Sequence, residues 1–268
     1  MKLHEPHFRA FSINAIKPQG WLARQLQLQA DGLSGHLDEF WPDIKDSAWI
    51  GGTAEGWERM PYWLDGVIPL AWLLNDGALQ QRLTRYVEYI LAHQDASGWL
   101  GPRVEQKKEA ADIWSQALAL KMLVAYHDAT GDERVYSCVK KALRMLDRHI
   151  DTKPLSHWGH FRWFEFLISI YWLYERTREQ WLLDLAVKLH AQGFDWPAFF
   201  ERWPLDQPTE KGRWNFAGHI VNNAMAVKAG ALWWRVSGAD ADRNAPGAMI
   251  AALARCHGMP TGVFTGDE

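Results

Sequence analysis

The 268-residue sequence predicts an all-α fold, and three observations support this prediction. Apolar residues recur at helical spacing through most of the chain, as in Leu83, Tyr86, Val87, Ile90 and Leu91. Almost no segment alternates polar and apolar residues as a half-buried strand does. Turns that can end one helix and start the next recur about every 50 residues, which is typical of stacked helical hairpins.

The helices are predicted in chain order from this periodicity. Trp21, Leu22, Gln25, Leu26 and Leu28 open the first segment. The other segments, which bring the total to about ten helices, lie near residues 62–74, 83–91, 111–130, 133–149, 161–176, 180–192, 215–236 and 246–256.

Four turns between these segments resemble one another, at residues 75–77, 130–133, 177–179 and 237–240. Each follows an aromatic-rich helix, has Gly or a polar residue where that helix should end, and places an acidic residue near the next helix start. The repeat suits a helix pair followed by a long return loop. An open solenoid and a closed α/α toroid both have this pattern.

The return loops favour the toroid. They span residues 41–61, 97–111, 151–162 and 196–216, and they are long and rich in Trp, His, Gly and charged residues. Loops of this kind are more often functional than merely connective, so we expect them to gather at one end of a barrel. No linker or composition shift divides the chain, which predicts one domain over residues 1–268.

Charge and hydropathy exclude several partners. The 29 basic and 32 acidic residues nearly balance, so no positive field would attract nucleic acid or an anionic membrane. The longest apolar runs are too short to cross a bilayer. No export signal is visible, so the cytoplasm is the default location, and the sequence does not determine the oligomeric state.

The two cysteines do not predict a metal site within this chain. Cys138 and Cys256 lie far apart and lack the spacing of Cys or His ligands. We therefore expect both to be buried structural thiols, with no disulfide scaffold.

The loop before the helix near residues 62–74 is a candidate sugar-binding segment. Trp57, Glu58, Arg59, Tyr62 and Asp65 occur there within nine residues. Aromatic faces beside carboxylates and an arginine suit a polyhydroxylated ligand, whose C–H face stacks and whose hydroxyls need directed hydrogen bonds. The alternative is that an Arg/Glu pair and a Trp cluster simply fasten the loop.

A second set of polar and aromatic residues stands near the starts of later helices, after long loops. A toroid would bring these starts to one end, although any single histidine is more often packed or capping. The candidate substrate-binding residues of this set are Asp112, Trp114, His157, Arg162, Glu165, His219 and Asn222. Six of the seventeen tryptophans, expected at the same sugar-binding end, are Trp49, Trp57, Trp63, Trp99, Trp158 and Trp214.

Several catalytic classes are excluded because their motifs are missing. The chain contains no GxSxG, no GxxxxGK[ST] and no HExxH. A glycosidase commonly needs two carboxylates, one as acid and one as base or nucleophile. The candidates are Glu55, Glu58, Asp65, Asp112, Glu165 and Glu268.

Five long segments occur in order: GGTAEGWERMPYWLDGVIPLAWLLND, ILAHQDASGWLGP, LVAYHDATGDERV, LISIYWLYERTREQWLLDLA and GMPTGVFTGDE. They resemble glycoside hydrolase family 127, the β-L-arabinofuranosidase-like proteins, over nearly the whole chain. The resemblance implies an (α/α)6 toroid that removes a non-reducing terminal sugar from a plant or microbial oligosaccharide with retention of configuration. It further implies a zinc-bound cysteine thiolate as nucleophile and a glutamate as acid/base. Glu268 matches that glutamate, and His219 matches a family histidine in the sugar pocket.

The chain departs from the family pattern at its end. The family's zinc ligands lie in a Glu-x-Cys motif and a later Cys-Cys pair, both beyond the acid/base glutamate. Neither Cys138 nor Cys256 fits these motifs. We therefore expect a toroid that is incomplete at its C-terminus, zinc only in a longer enzyme, and no activity from these residues alone.

Three alternatives are also considered. A polyuronide lyase or unsaturated-uronide hydrolase could share the toroid, and a helical scaffold could bind carbohydrate without cleaving it. A terpenoid cyclase is suggested by Gln94 to Trp99, which is close to a QxxxGxW repeat. However, the tryptophan comes one place early and the DxDD acid motif is missing.

Overall fold

The computed structural model describes residues 2–103, 113–202 and 214–266. These residues form thirteen α-helices and one short 3-10 helix. Within the same residues the only extended pairing is an isolated antiparallel bridge between Gly258 and Phe264. The predicted all-α class is therefore confirmed.

The chain divides into two compact units. The N-terminal unit is Phe8–Lys153, and the C-terminal unit comprises Met1–His7 and Pro154–Glu268. The single catalytic domain expected over residues 1–268 stays a prediction.

Helix α4 lies at the centre of the N-terminal unit. It packs against α1, α2, α3, α5 and α6, and its buried residues include Leu64, Val67 and Ile68. Burial of apolar side chains at this spacing is the main force that holds such helices together. The helices of this unit are α1 Gly20–Asp31, α2 Leu33–Phe40, α3 Pro42–Lys45, α4 Arg59–Leu74, α5 Gly77–Ala92, α6 Trp114–Thr130 and α7 Arg134–Thr152, with the 3-10 helix at Ala48–Ile50.

Helices α12 and α13 form the closest pair in the C-terminal unit. A Cβ atom added to Gly230 of α12 would lie 2.7 Å from the carbonyl oxygen of Asp242 in α13, so only glycine allows this approach. The helices of this unit are α8 His157–Phe161, α9 Glu165–Thr177, α10 Trp181–Gln192, α11 Trp196–Glu201, α12 Ile220–Ser237 and α13 Asp240–His257.

The four predicted turns are confirmed. Each preceding helix ends at a residue with left-handed backbone, at Asn75 (φ 56°), Gly131 (φ 72°), Arg178 (φ 57°) and Gly238 (φ 66°). After the first of them, Asp76 caps α5 by accepting a hydrogen bond from the backbone N–H of Leu79 at 3.0 Å. A glycine or a polar residue with left-handed backbone thus ends each of these helices shortly before the next one begins.

Two helix starts differ from the prediction because of polar side chains. The helix expected over 161–176 is broken between Phe161 and Glu165, where Arg162 leaves helical geometry and its side chain is buried. The helix expected from residue 215 begins at Ile220, because His219 caps it. Short helices α3, α8 and α11 also occupy parts of the predicted loops.

The last helix starts earlier than predicted. The helix expected near residues 246–256 begins at Asp240, so Pro246 lies inside α13 and not in its first turn. Proline cannot donate a hydrogen bond to the carbonyl of Asp242, four residues before it. Gly230 of α12 packs closely against that carbonyl, so tertiary packing accommodates the interruption.

No helix in the described part of the chain combines the length and apolarity that crossing a membrane would require.

We expect Leu64→Ala to lower the free energy of unfolding by about 2–5 kcal/mol, because it leaves a cavity at a fully buried position of α4. Leu33→Ala removes the same atoms from a side chain that is 70% exposed, and its effect should stay within about 0.5 kcal/mol. Urea unfolding followed by circular dichroism measures both. Equal losses for the two variants would contradict the assigned core.

Candidate functional site

Glu55 fixes the start of α4 in the N-terminal unit. Its two carboxylate oxygens accept hydrogen bonds from the backbone N–H groups of Glu58 at 2.7 Å and Arg59 at 3.2 Å. Free N–H groups at a helix start need such acceptors. Glu55 is therefore a helix-capping residue, and its hydrogen bonds to backbone N–H groups hold the loop against the start of α4. The side chain of Arg59 is exposed.

Two polar contacts connect α4 to α6. Glu58 Oε2 accepts a hydrogen bond of 2.8 Å from the indole N–H of buried Trp114. Two helical turns further along, Lys121 Nζ lies 2.8 Å from Asp65 Oδ2. Tyr62 lies between these contacts on α4, with its ring centroid 6.0 Å from that of Trp114. We call these five residues the Glu58 cluster.

The sequence prediction did not include Lys121, because its position opposite Asp65 depends on how α4 and α6 pack. Both contacts join residues that are 56 positions apart, Glu58 with Trp114 and Asp65 with Lys121. A constant offset means that α4 and α6 run in the same direction. Residues seven apart share a helix face, so the Glu58–Trp114 pair places Lys121 opposite Asp65.

Arg162 is the central residue of the candidate site in the C-terminal unit. Its side chain is only 4% exposed, and its Nε donates a hydrogen bond of 2.7 Å to Asn222 Oδ1. The guanidinium carbon lies 4.4 Å from the centroid of the Trp158 ring, in cation–π contact. Asn222 in turn donates from Nδ2 to the carbonyl of Phe216 at 2.8 Å. The guanidinium is therefore held in one orientation.

His219 joins this arrangement from the start of α12. Its Nδ1 accepts a hydrogen bond of 3.3 Å from the backbone N–H of Asn222. An accepting nitrogen carries no proton, so the neutral ring has its proton on Nε2. The ring lies edge-on to Trp158, with centroids 5.3 Å apart. His219 is thus both the N-cap of α12 and part of the site.

An aromatic wall surrounds these polar groups. Trp158 contacts Trp214 at 5.7 Å and Phe216 at 4.9 Å between ring centroids, and His157 contacts Phe216 at 5.9 Å. Trp214 is 47% exposed, so it offers ring surface to a ligand. The Arg162 cluster is defined as His157, Trp158, Arg162, Trp214, Phe216, His219 and Asn222. The sequence prediction missed Phe216, which lies three residues before His219.

Glu165 is paired with a cation that the sequence prediction also missed. Its carboxylate is buried at the start of α9, and Oε1 lies 2.5 Å from Lys228 Nζ. Lys228 lies on α12, where its side chain is partly exposed. The ion pair compensates the buried charge of Glu165.

The predicted residues therefore fall into two groups. The structure brings Glu58, Tyr62, Asp65 and Trp114 together in the N-terminal unit, and His157, Arg162, His219 and Asn222 together in the C-terminal unit. Trp57 is partly exposed, and its carbonyl accepts a hydrogen bond from Trp49 at 3.2 Å. Asp112 and Glu268 lie outside the described residues.

Three tryptophans expected at the sugar-binding end are instead buried. The indole N–H groups of Trp49, Trp63 and Trp99 donate to the backbone carbonyls of Trp57, Ser34 and Pro102, respectively. A buried indole N–H needs such a partner. These three side chains hold loops and helices in place, and their expected location at the sugar-binding end stays a prediction.

The cysteines do not fit a zinc–thiolate centre. Burial raises the pKa of the Cys138 thiol to about 12, which keeps the free thiol protonated at neutral pH. Cys256 is exposed, so its predicted burial was wrong; it follows Leu253, the last buried residue of α13. In the described ranges, no three His, Cys, Asp or Glu side chains are placed to hold a metal ion.

A comparison with known families gives one match. The model of a family described as beta-L-arabinofuranosidase, GH127 catalytic domain, matches residues 21–262. No curated protein matches the chain.

We expect Cys256 to react with Ellman's reagent in the native protein at pH 7.5, and Cys138 to react more than about a thousandfold more slowly than in urea. The physical reason is that burial disfavours the reactive thiolate of Cys138. Cys256→Ser should leave no fast-reacting thiol. Rapid labelling of that variant under native conditions would contradict the burial of Cys138.

Proposed function

The chain belongs to glycoside hydrolase family 127, and we propose that it removes a non-reducing terminal sugar of the β-L-arabinofuranoside type from an oligosaccharide, with retention of configuration. The observation that carries this proposal is the family match over residues 21–262, which supports a glycosidase acting on carbohydrate. The Arg162 cluster supports it chemically, because it combines ring faces with oriented hydrogen-bond donors.

In this proposal the Arg162 cluster binds and orients the sugar. Trp214 stacks on its C–H face, while the guanidinium of Arg162 and Nε2 of His219 donate to its hydroxyl oxygens. Asn222 serves as a positioning residue, since it holds Arg162 and is capped by His219. A preformed arrangement of this kind lowers the entropy lost when the sugar binds.

The Glu58 cluster is proposed as a second set of polar and aromatic groups for sugar recognition. Tyr62 is the exposed ring of this set. Glu58 and Asp65 are oriented by Trp114 and Lys121. Because both carboxylates have fixed partners, we propose that they accept hydrogen bonds from sugar hydroxyls and do not transfer protons.

We propose Glu268 as the acid/base, as the family resemblance implies. The resemblance also implies a zinc-bound cysteine nucleophile, and in the described part of the chain no three His, Cys, Asp or Glu side chains are placed to hold a metal ion. We therefore propose that the nucleophile and the zinc ligands follow Glu268, and that residues 1–268 alone bind sugar without cleaving it.

The role of His219 can be separated from its role as a helix cap. We expect His219→Asn to keep the cap, because Asn is among the best N-cap residues, and to weaken sugar binding about tenfold or more through loss of the ring. His219→Ala should weaken binding similarly and also lower the free energy of unfolding by about 1 kcal/mol.

Tryptophan fluorescence reports binding of a β-L-arabinofuranosyl oligosaccharide, since Trp158 and Trp214 contact the His219 ring. His36→Asn, at a partly exposed position of α2, is the matched control. Wild-type affinity in His219→Asn would show that the ring does not bind sugar.

We expect residues 1–268 not to hydrolyse an aryl β-L-arabinofuranoside. A longer protein that continues through the Glu-x-Cys and Cys-Cys motifs should do so, and Glu268→Gln should lower its rate by about 10²–10⁴-fold through loss of proton transfer. Release of the aryl group measures both.

Three results would overturn parts of this proposal. Hydrolysis by residues 1–268 that Glu268→Gln abolishes would place the nucleophile within the chain. A product with conjugated enone absorbance would identify a lyase. Binding without turnover even in the longer protein would identify a carbohydrate-binding scaffold.

A further inference from the structure

A cavity of about 550 Å³ lies within the C-terminal unit, between the end of α10, α11, the middle of α12 and the start of α13. This volume is within the range of small-molecule sites. No residue of the Arg162 cluster lines the cavity, and neither Glu165 nor Lys228 does. The family match and the proposed sugar recognition therefore leave this cavity unexplained.

One side of the cavity is an aromatic surface. Trp233 of α12 stacks on His190 of α10, with ring centroids 3.8 Å apart and an interplanar angle of 8°. Trp163 meets both rings edge-on, and its indole N–H donates to the carbonyl of Phe194 at 3.1 Å. Trp233 is partly exposed, and its stacking on His190 fixes the orientation in which its ring lines the cavity. Burial lowers the pKa of His190, which keeps this ring neutral at pH 7.

Three carboxylates line the same cavity. Asp195 accepts a hydrogen bond from the backbone N–H of Ala198, and Asp242 accepts one from the hydroxyl of Ser237. Glu201 completes the set from the end of α11. Among the described residues, no Lys or Arg lines the cavity or forms an ion pair with any of these three carboxylates.

The charge balance distinguishes this cavity from the Arg162 cluster. In the cluster and beside it, Arg162 and Lys228 provide cations, and the buried Glu165 is paired. In the cavity the negative charges have no cationic partner in the described chain, and the face of an indole ring is itself electronegative. Both features attract a positive charge and repel an anion.

We propose that this cavity binds a small organic cation. Its ammonium or guanidinium group lies among Asp195, Glu201 and Asp242, and its apolar body packs against Trp233.

Tyramine and tyrosol test this directly on the wild-type protein. They share a phenol ring and an ethyl chain, and differ in that tyramine carries an ammonium group where tyrosol carries a hydroxyl. We expect tyramine to bind about tenfold more tightly, with an affinity that falls as salt is raised. Isothermal titration calorimetry measures both affinities. Equal affinities, tighter binding of tyrosol, or no binding of tyramine would overturn the proposal.

Three variants then test which residues cause the preference for tyramine over tyrosol. Glu201→Gln should weaken tyramine binding several-fold and leave tyrosol unchanged, because Glu201 is exposed and its loss removes only charge. Asp240→Asn removes the same charge from α13 at an exposed position outside the cavity lining, and should change neither affinity. Trp233→Leu should weaken both ligands.

An Asp240→Asn effect as large as that of Glu201→Gln would overturn the proposal, because the preference would then reflect overall charge. The Glu201→Gln result stands independently of Trp233→Leu, whose folding is checked by near-ultraviolet circular dichroism. Failure of sugar binding in the His219 variants would leave this cavity unaffected, so the two sites are tested separately.

Discussion

The buried hydrogen bond between Arg162 and Asn222 is the interaction on which the candidate site of the C-terminal unit depends. A buried guanidinium is unfavourable unless its donors are satisfied, so the chain leaves helical geometry at Arg162 and bonds to α12. The same asparagine is held by the cap from His219 and by the carbonyl of Phe216. Arg162, at the break between α8 and α9, is thereby joined to the first turn of α12 and to Trp158 of the aromatic wall.

In each unit, polar side chains join two helices that run in the same direction. In the N-terminal unit, α4 and α6 are joined by contacts between residues 56 positions apart. In the C-terminal unit, α9 and α12 are joined through Tyr171 and Leu232, 61 positions apart, and through Glu175 and Arg235, 60 positions apart. Helices that are not neighbours in sequence are thereby kept in register. This register places the candidate residues at helix starts side by side.

The C-terminal unit uses similar residues for two different chemical environments. The Arg162 cluster and the cavity beside α11 both combine tryptophan with histidine. What differs is the charged partner, which is a guanidinium in the cluster and a set of carboxylates in the cavity. Aromatic surface is common to both, so the sign of the neighbouring charge is what distinguishes the two environments.

The sequence by itself determined the helical class and the four helix-ending turns, because these depend on periodicity and on local backbone preferences at residues such as Asn75 and Gly131. The family was recognised separately, from the resemblance of five long segments, and the match over residues 21–262 shows it. The sequence also placed Arg162 and His219 near helix starts, where the structure has them. Only the tertiary structure decided their partners, such as Lys121, Lys228 and Phe216, and showed that Trp49, Trp63 and Trp99 are buried. Partner choice and burial depend on which helices pack together, and residue type and local spacing do not specify that packing.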